Sequence, residues 1–250
     1  FLSGSAINIG VDESSQEDIN SYKIHFEYRF NDDVLAYALA SSGYRAGGFN
    51  RSGLAQVTAA SAYGTDTLWN YEVGLKTSWL DNRLIANAVM YYIDWSDMQL
   101  RTFDPVAFRT IVRNAGKAKI SGLETEMQYK ATDNLLLSAN FSYTDATMGE
   151  DLLDVSTTPP TVIVADGTRL PGSSKYTVSL FADWQRPLTS GLDLLVNASY
   201  RYASSRPNIL GSFTGAVPTE EIQSSDMVNL SAGVRHDSGV TVSLFANNRS

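Results

Sequence analysis

The segment Trp69-Asn70-Tyr71-Glu72-Val73-Gly74-Leu75-Lys76-Thr77-Ser78-Trp79 decides the fold. Trp69, Tyr71, Val73, Leu75, Thr77 and Trp79 share one face; Asn70, Glu72, Gly74, Lys76 and Ser78 share the other. Strict alternation is the period of a β-strand with one apolar and one polar face. Asp81-Asn82 supplies turn chemistry, after which Leu84, Ala86, Ala88, Met90 and Tyr92 return with the same period. The aromatics are sorted along the strand, with Trp69 and Tyr71 at one end, Trp79 at the other, and Val73 and Leu75 between.

The same pattern extends in both directions. Upstream, Tyr22, Ile24, Phe26, Tyr28 and Phe30 alternate with Lys23, His25, Glu27 and Arg29. After the turn Asn31-Asp32-Asp33, Leu35, Tyr37 and Leu39 resume the alternation. Downstream, Leu123, Thr125, Met127 and Tyr129 oppose Gly122, Glu124, Glu126 and Gln128. Five further apolar faces follow, carried by Leu135 to Tyr143, Tyr176 to Trp184, Leu192 to Tyr202, Val228 to Val234 and, after a turn at residues 236–239, Val240 to Ala246. This predicts about ten strands with connections alternating short and long. The unit recurs every ~40–50 residues, a spacing that propeller blades also show, so period alone does not choose the architecture.

Placement of the aromatics does. Tyr143, Tyr176, Tyr200 and Tyr202 join Trp69 and Tyr71 at long-loop ends, while Phe30, Tyr129 and Trp184 join Trp79 at short-turn ends. Tyr and Trp favour a membrane interface because an apolar ring carries a group that seeks water. Two aromatic girdles around an aliphatic band, with short turns on one side and long loops on the other, predict an antiparallel up-and-down transmembrane β-barrel wall. The opposite face, with Lys23, Glu27, Arg29, Glu72, Lys76, Glu124, Glu126 and Arg201, is too charged for a dry core and fits a polar lumen.

Composition narrows the alternatives. Aromatics make up 11% and charged residues 18% of 250 residues, which excludes a disordered chain. The net charge of −8 argues against nucleic-acid binding. There is no Cys, which removes disulfide scaffolds and Cys zinc sites. The longest apolar run, residues 84–93, falls well short of the roughly 18 residues that mark a membrane helix. The chain starts at Phe1 without a signal-peptide pattern and stops just after an alternating run, so a fragment is expected.

Five strings carry a family resemblance. They are Gly43-Tyr44-Arg45-Ala46-Gly47-Gly48-Phe49-Asn50; Tyr71-Glu72-Val73-Gly74-Leu75-Lys76 followed by Trp79-Leu80-Asp81-Asn82-Arg83-Leu84; Asn114-Ala115-Gly116-Lys117-Ala118 running into Gly122-Leu123-Glu124-Thr125-Glu126; Leu170-Pro171-Gly172; and Phe245-Ala246-Asn247-Asn248. In this order they resemble the C-terminal part of the barrel of TonB-dependent outer-membrane receptors. The resemblance implies a barrel of about 22 strands with a plugged lumen, of which residues 1–250 would be a part lacking the plug domain and the closing strand. It implies energy-coupled uptake of a scarce solute, foremost a ferric siderophore-type chelate, across the outer membrane of a Gram-negative bacterium. Implied partners are the lipid bilayer and lipopolysaccharide, the plug domain, TonB, and a small-molecule chelate or nutrient.

The candidate residues follow from chemistry. Arg45, Asn50, Arg101 and Arg113 lie in the long-loop segments, where arginines suit capture of an anionic chelate; a generic polar loop is the plainer reading. Glu72, Lys76, Glu124 and Glu126 face the lumen as solvated wall charges or plug contacts. Glu124 and Glu126 at spacing two admit acid–base work, but no Ser/His/Asp set accompanies them, and His25 and His236 are isolated. No enzyme activity, cofactor or metal is therefore expected. A passive porin, an adhesin-like barrel and a soluble β-repeat protein are the rival readings.

Overall fold

Alternation carries directly into a meander. The computed structural model describes residues 19–50, 62–104, 109–114, 116–154, 158–208, 210 and 221–249. Ten strands form one antiparallel sheet in sequence order. They are β1 (Lys23–Asn31), β2 (Val34–Arg45), β3 (Asp66–Trp79), β4 (Leu84–Ser96) and β5 (Ala118–Thr132). Then come β6 (Leu135–Met148), β7 (Tyr176–Thr189), β8 (Leu192–Ala203), β9 (Ser225–His236) and β10 (Thr241–Arg249). Sequence-adjacent strands pair throughout, β1 and β10 are the sheet edges, and no helix occurs among the described residues.

The register preserves the two faces. Tyr71 pairs with Tyr92, Val73 with Met90 and Leu75 with Ala88. Met127 pairs with Ala139, and Phe141 with Val178. On the other face Lys76 pairs with Asn87, Val89 with Glu124 and Asn87 with Glu126. A one-residue slip would exchange these faces, so burying the apolar band in lipid fixes the register strongly. Among the described residues the apolar side has nothing to pack against: Phe26 is 72% exposed and Leu244 81%. An apolar face this extensive in water is an association surface; in a bilayer it is the solvated face.

One strand departs from the sequence reading. Leu35, Tyr37 and Leu39 pair with Lys76, Gly74 and Glu72, so they face the polar side. The outward residues of β2 are Ala36, Ala38 and Ala40, paired with Leu75, Val73 and Tyr71. Both faces of β2 are apolar, so hydrophobic period cannot choose between them. The pairing shift between Arg29 and Asn31 at the turn sets the phase instead.

The turn after β3 is tight. Leu80, Asp81 and Asn82 all have left-handed backbone, with φ of 57°, 55° and 64°. Asp and Asn tolerate that region through local hydrogen bonding; Leu80 does not, and it is strained. Ser78 Oγ and Asn82 Oδ1 are 2.5 Å apart, which ties the turn to the strand end.

The segments read as long loops contain pairing of their own. Short hairpins join Gly48–Phe49 to Ala62–Tyr63, Gln99–Asp104 to Arg109–Asn114, Leu152–Asp154 to Thr161–Val164, and Arg206–Pro207 to Glu221–Ile222. The buried core of the described residues also lies at this end. Met98, Ala118, Ala146, Met148, Leu152 and Leu170 pack together there, around the long-loop ends of β5 and β6. Water-facing loops need a core of their own because the membrane wall offers them none.

Candidate functional site

The polar face of the sheet begins with backbone. Gly74 pairs with Tyr37, and a Cβ on Gly74 would collide with the Tyr37 ring. Gly122 stands in the same relation to Tyr91. Glycine inside a strand marks such a close approach, and here it lets each tyrosine lie along the wall. The Tyr37 hydroxyl then donates to Glu72 Oε1, Lys76 Nζ stands 5.6 Å from the Tyr37 ring centroid, and His25 lies 5.8 Å from it. Tyr91 Oη is 3.0 Å from Thr144 Oγ1.

Beside this group lies a cavity of about 270 Å³ whose lining includes Glu124, Glu126, Asn87 and Val89 on one side and Asn140, Ser142, Thr177 and Ser179 on the other. Asn87 Nδ2 donates to Glu126 at 3.3 Å. All four lumen-facing residues anticipated from the sequence, Glu72, Lys76, Glu124 and Glu126, are thus on the polar face. Neither glutamate of the Glu124/Glu126 pair has a nucleophile or imidazole within a catalytic arrangement in the described contacts, and no cluster of metal-ligating side chains occurs among the described residues.

The loop-end candidates are held by structure. Asp66, 1% exposed at the head of β3, forms an ion pair with Arg45 at the end of β2. Arg45 Nε donates to Asp66 Oδ2 at 2.9 Å and Gln99 N to the same oxygen at 3.0 Å, while Arg45 N donates to Oδ1 at 3.1 Å. Burial pushes the Asp66 carboxyl up, but the hydrogen bonds from Arg45 and Gln99 outweigh it and hold the carboxyl below the usual range. The Arg45 guanidinium also lies 4.7 Å from the Trp95 ring centroid. Asn50 clamps the neighbouring hairpin, donating to Val112 O and accepting from Val112 N, both at 2.7 Å. Arg113 is half-buried on that hairpin and Arg101 is exposed on it. Arg45 and Asn50 therefore have structural engagements, and three of the four loop residues gather at Val112, which Asn50 clamps, Arg101 pairs with across the hairpin and Arg113 follows in sequence.

Three residues outside those candidates complete the knot. Gln99 Nε2 donates to the carbonyls of Ala46 at 2.9 Å and Gly64 at 3.0 Å. Asn114 accepts from Gly64 N at 2.6 Å and donates to Gly64 O and Asp97 O. Asp66 is the third. The motif strings containing Arg45 and Asn114 were the available signal, since both sit where a strand enters a loop. Two further charged residues of the long-loop segments, Arg51 and Glu220, lie outside the described residues.

The apolar face carries aromatic rings towards both of its ends. Tyr22 and Trp69 are stacked with centroids 6.4 Å apart, and Trp69 and Tyr71 at 6.1 Å, so three rings bridge β2 at the long-loop end. Tyr143 and Tyr176 meet at 5.4 Å on the same level. Tyr200 pairs with Leu180 nearby. At the short-turn end, Trp79 pairs with Leu84, Trp184 with Leu135, and Tyr28 contacts Phe30 edge-on at 4.8 Å. Just above the upper girdle Lys175 Nζ lies 3.5 Å from Asp145 and 5.6 Å from the Tyr143 ring; Asp145 first, then Tyr143, raise its pKa.

Comparison with known proteins agrees with this geometry. The family model described as "TonB dependent receptor-like, beta-barrel" matches residues 4–248. The ferric yersiniabactin uptake receptor FyuA from Yersinia pestis superposes with a TM-score of 0.71 at 19% identity, over 90% of this chain and 31% of that one. The siderophore receptor PiuA from Acinetobacter baumannii gives 0.62 at 15% identity, over 92% and 36%. The ferric-catecholate import receptor Fiu from E. coli K12 gives 0.61 at 16% identity, over 92% and 35%. The chain thus spans about a third of the length of these solved structures, and at such identities the likeness is one of fold. The family match extends over nearly the whole sequence, and the chain belongs to the TonB-dependent receptor β-barrel family.

Proposed function

We propose that this chain is part of an outer-membrane receptor that takes up a ferric siderophore-type chelate by TonB-coupled transport, without covalent chemistry. The observation that carries the reading is the family match over residues 4–248. Barrels of this family sit in the Gram-negative outer membrane, and the girdles here suit that setting. Structural neighbours named as siderophore and iron receptors support the chelate as solute.

In this reading the long-loop end is extracellular. The Arg45–Asp66–Gln99 knot fixes the loop bases, and exposed Arg101 and its neighbours meet the anionic chelate. A plug domain elsewhere in the full-length protein docks basic groups on Glu72, Glu124 and Glu126, whose carboxylates accept charge-assisted hydrogen bonds. TonB pulls on the plug, which opens a route past it. Lipopolysaccharide contacts the outer rim at the level of Lys117, Lys119 and Lys175, where Lys117 is paired with Glu150 at 3.4 Å.

The test is deletion of the full-length gene, followed by uptake assays with radiolabelled ferric catecholate, hydroxamate and mixed-ligand chelates. Loss of uptake of one class supports the reading. Unchanged uptake of every chelate sinks it.

A further inference from the structure

Two of the motif strings meet at the long-loop end. Asn50 closes the string that leaves β2, and Asn114 opens the string that leads into β5. Each uses its side-chain amide as a piece of backbone. Asn50 Nδ2 donates to Val112 O and Asn50 Oδ1 accepts from Val112 N, both at 2.7 Å. Asn114 Oδ1 accepts from Gly64 N at 2.6 Å, and Asn114 Nδ2 donates to Gly64 O at 2.9 Å. A carboxamide carries an acceptor and a donor side by side, which matches the N–H and C=O of one extended residue. A carboxylate only accepts, and a hydroxyl has one atom for both tasks.

The two amides hold different levels of the hairpin that joins Gln99–Asp104 to Arg109–Asn114. Asn114 acts at its base, where it pairs with Gln99. Asn50 acts further along, at Val112, and Val112 pairs with Arg101. Asn50, Val112 and Arg101 thus stand in one line across the hairpin. Leu100 packs against the buried cluster around Met98 and Ala118. Arg101, the next residue, is exposed, and successive side chains of a strand take opposite faces. The apolar cluster therefore anchors Leu100, and the Asn50 clamp fixes the backbone at the level of Arg101. An arginine that captures an anion gains from such fixing, because the cost of ordering a loop on binding is subtracted from affinity.

We propose that Asn50 is a positioning residue for solute capture: through the Val112 backbone it holds Arg101 ready for an anionic group of the chelate. Asn50 does not itself touch the solute. The chelate's oxygens accept from the paired N–H donors of the guanidinium. This inference rests on the transport reading above, which supplies the chelate.

The experiment uses the full-length receptor in cells lacking TonB, where surface binding is read apart from uptake. The probes are radiolabelled ferric catecholate, ferric hydroxamate and mixed-ligand chelates. The variants are Asn50→Ala, Asn50→Asp, Arg101→Ala, and Asn50→Ala combined with Arg101→Ala, each normalised to folded receptor in the outer membrane. Asn50→Asp keeps the size of the side chain but sets an acceptor against Val112 O. Asn50→Ala and Asn50→Asp are each expected to raise the Kd of the bound chelate about tenfold. Arg101→Ala should raise it at least as much, and adding Asn50→Ala to Arg101→Ala should raise it no further, since the clamp acts through the arginine. In cells with TonB the loss should appear in the KM of uptake and not in its maximal rate. Unchanged affinity in both Asn50 variants, effects of Asn50→Ala and Arg101→Ala that multiply, or a loss confined to the maximal rate would overturn the positioning role. Absence of binding of every probe by the unsubstituted receptor is a separate result: it removes the chelate reading and the positioning role with it.

Discussion

The ring of Tyr37 occupies the space that a Cβ on Gly74 would need, and the two residues are direct cross-strand partners. Tyr91 and Gly122 repeat this two strands on. The pairing covers the glycine backbone with an aromatic face and aims the hydroxyl of Tyr37 at Glu72.

Gly74→Ala or Gly122→Ala is expected to destabilise the folded barrel by about 1–3 kcal/mol, the range for overpacking a closed site. Urea unfolding of the full-length receptor in detergent or lipid measures it. Adding Tyr37→Ala to Gly74→Ala should recover part of the loss, because the added methyl then has room. No recovery would show that the clash is not the cause.

Asp66 ties three segments through one buried carboxylate. Asp66→Ala removes several hydrogen bonds to a charged acceptor, bonds worth about 1.5–3 kcal/mol each in favourable settings. The half-exposed Arg45 lowers the ion pair's own share. The expected outcome is faster hydrogen exchange and easier proteolysis across residues 98–114, with the wall strands unchanged. Unchanged exchange in that hairpin would show that the knot does not restrain it.

The same group sets an acid limit. Its folded pKa lies below its unfolded value, so its contribution is present above about pH 3.9 and is lost as pH falls through the lowered folded value. Loop protection should therefore hold at neutral pH and fade only in strong acid. In Asp66→Asn that acid-dependent component should vanish. Retention of the full acid response in the variant would assign it to another group.

The outward band discriminates by depth. Val73→Arg, midway between the girdles, is expected to cost about 2–4 kcal/mol, and Trp79→Arg, at the short-turn girdle, about 0–1 kcal/mol for the charge itself. Equilibrium unfolding in liposomes reads both. Equal penalties would remove the depth dependence and with it the lipid assignment of this face.

Much of this wall was legible wherever one face was polar. Glu72 and Lys76 fix the phase of β3, and Glu124 and Glu126 that of β5, because charge cannot face lipid. β2 was not legible: Leu35, Tyr37 and Leu39 compete with Ala36, Ala38 and Ala40, and only the turn geometry decides. The girdle order of Trp69, Tyr71 and Trp79 could be read because those rings lie on one strand. The loop-end knot could not, since Asp66, Gln99 and Asn114 meet Arg45 and Gly64 across separations of up to 54 residues. Gly74 and Gly122 were visible as glycines inside strands, but their tyrosine partners follow only from register.

The proposed TonB-driven uptake and passage through a passive pore differ in what they need from the cell. The most direct measurement of that difference is uptake of radiolabelled ferric chelates by cells expressing the full-length protein, compared with and without TonB. Under TonB-driven uptake, surface binding of one chelate class survives loss of TonB while its accumulation falls to background. Accumulation that continues undiminished without TonB would contradict it.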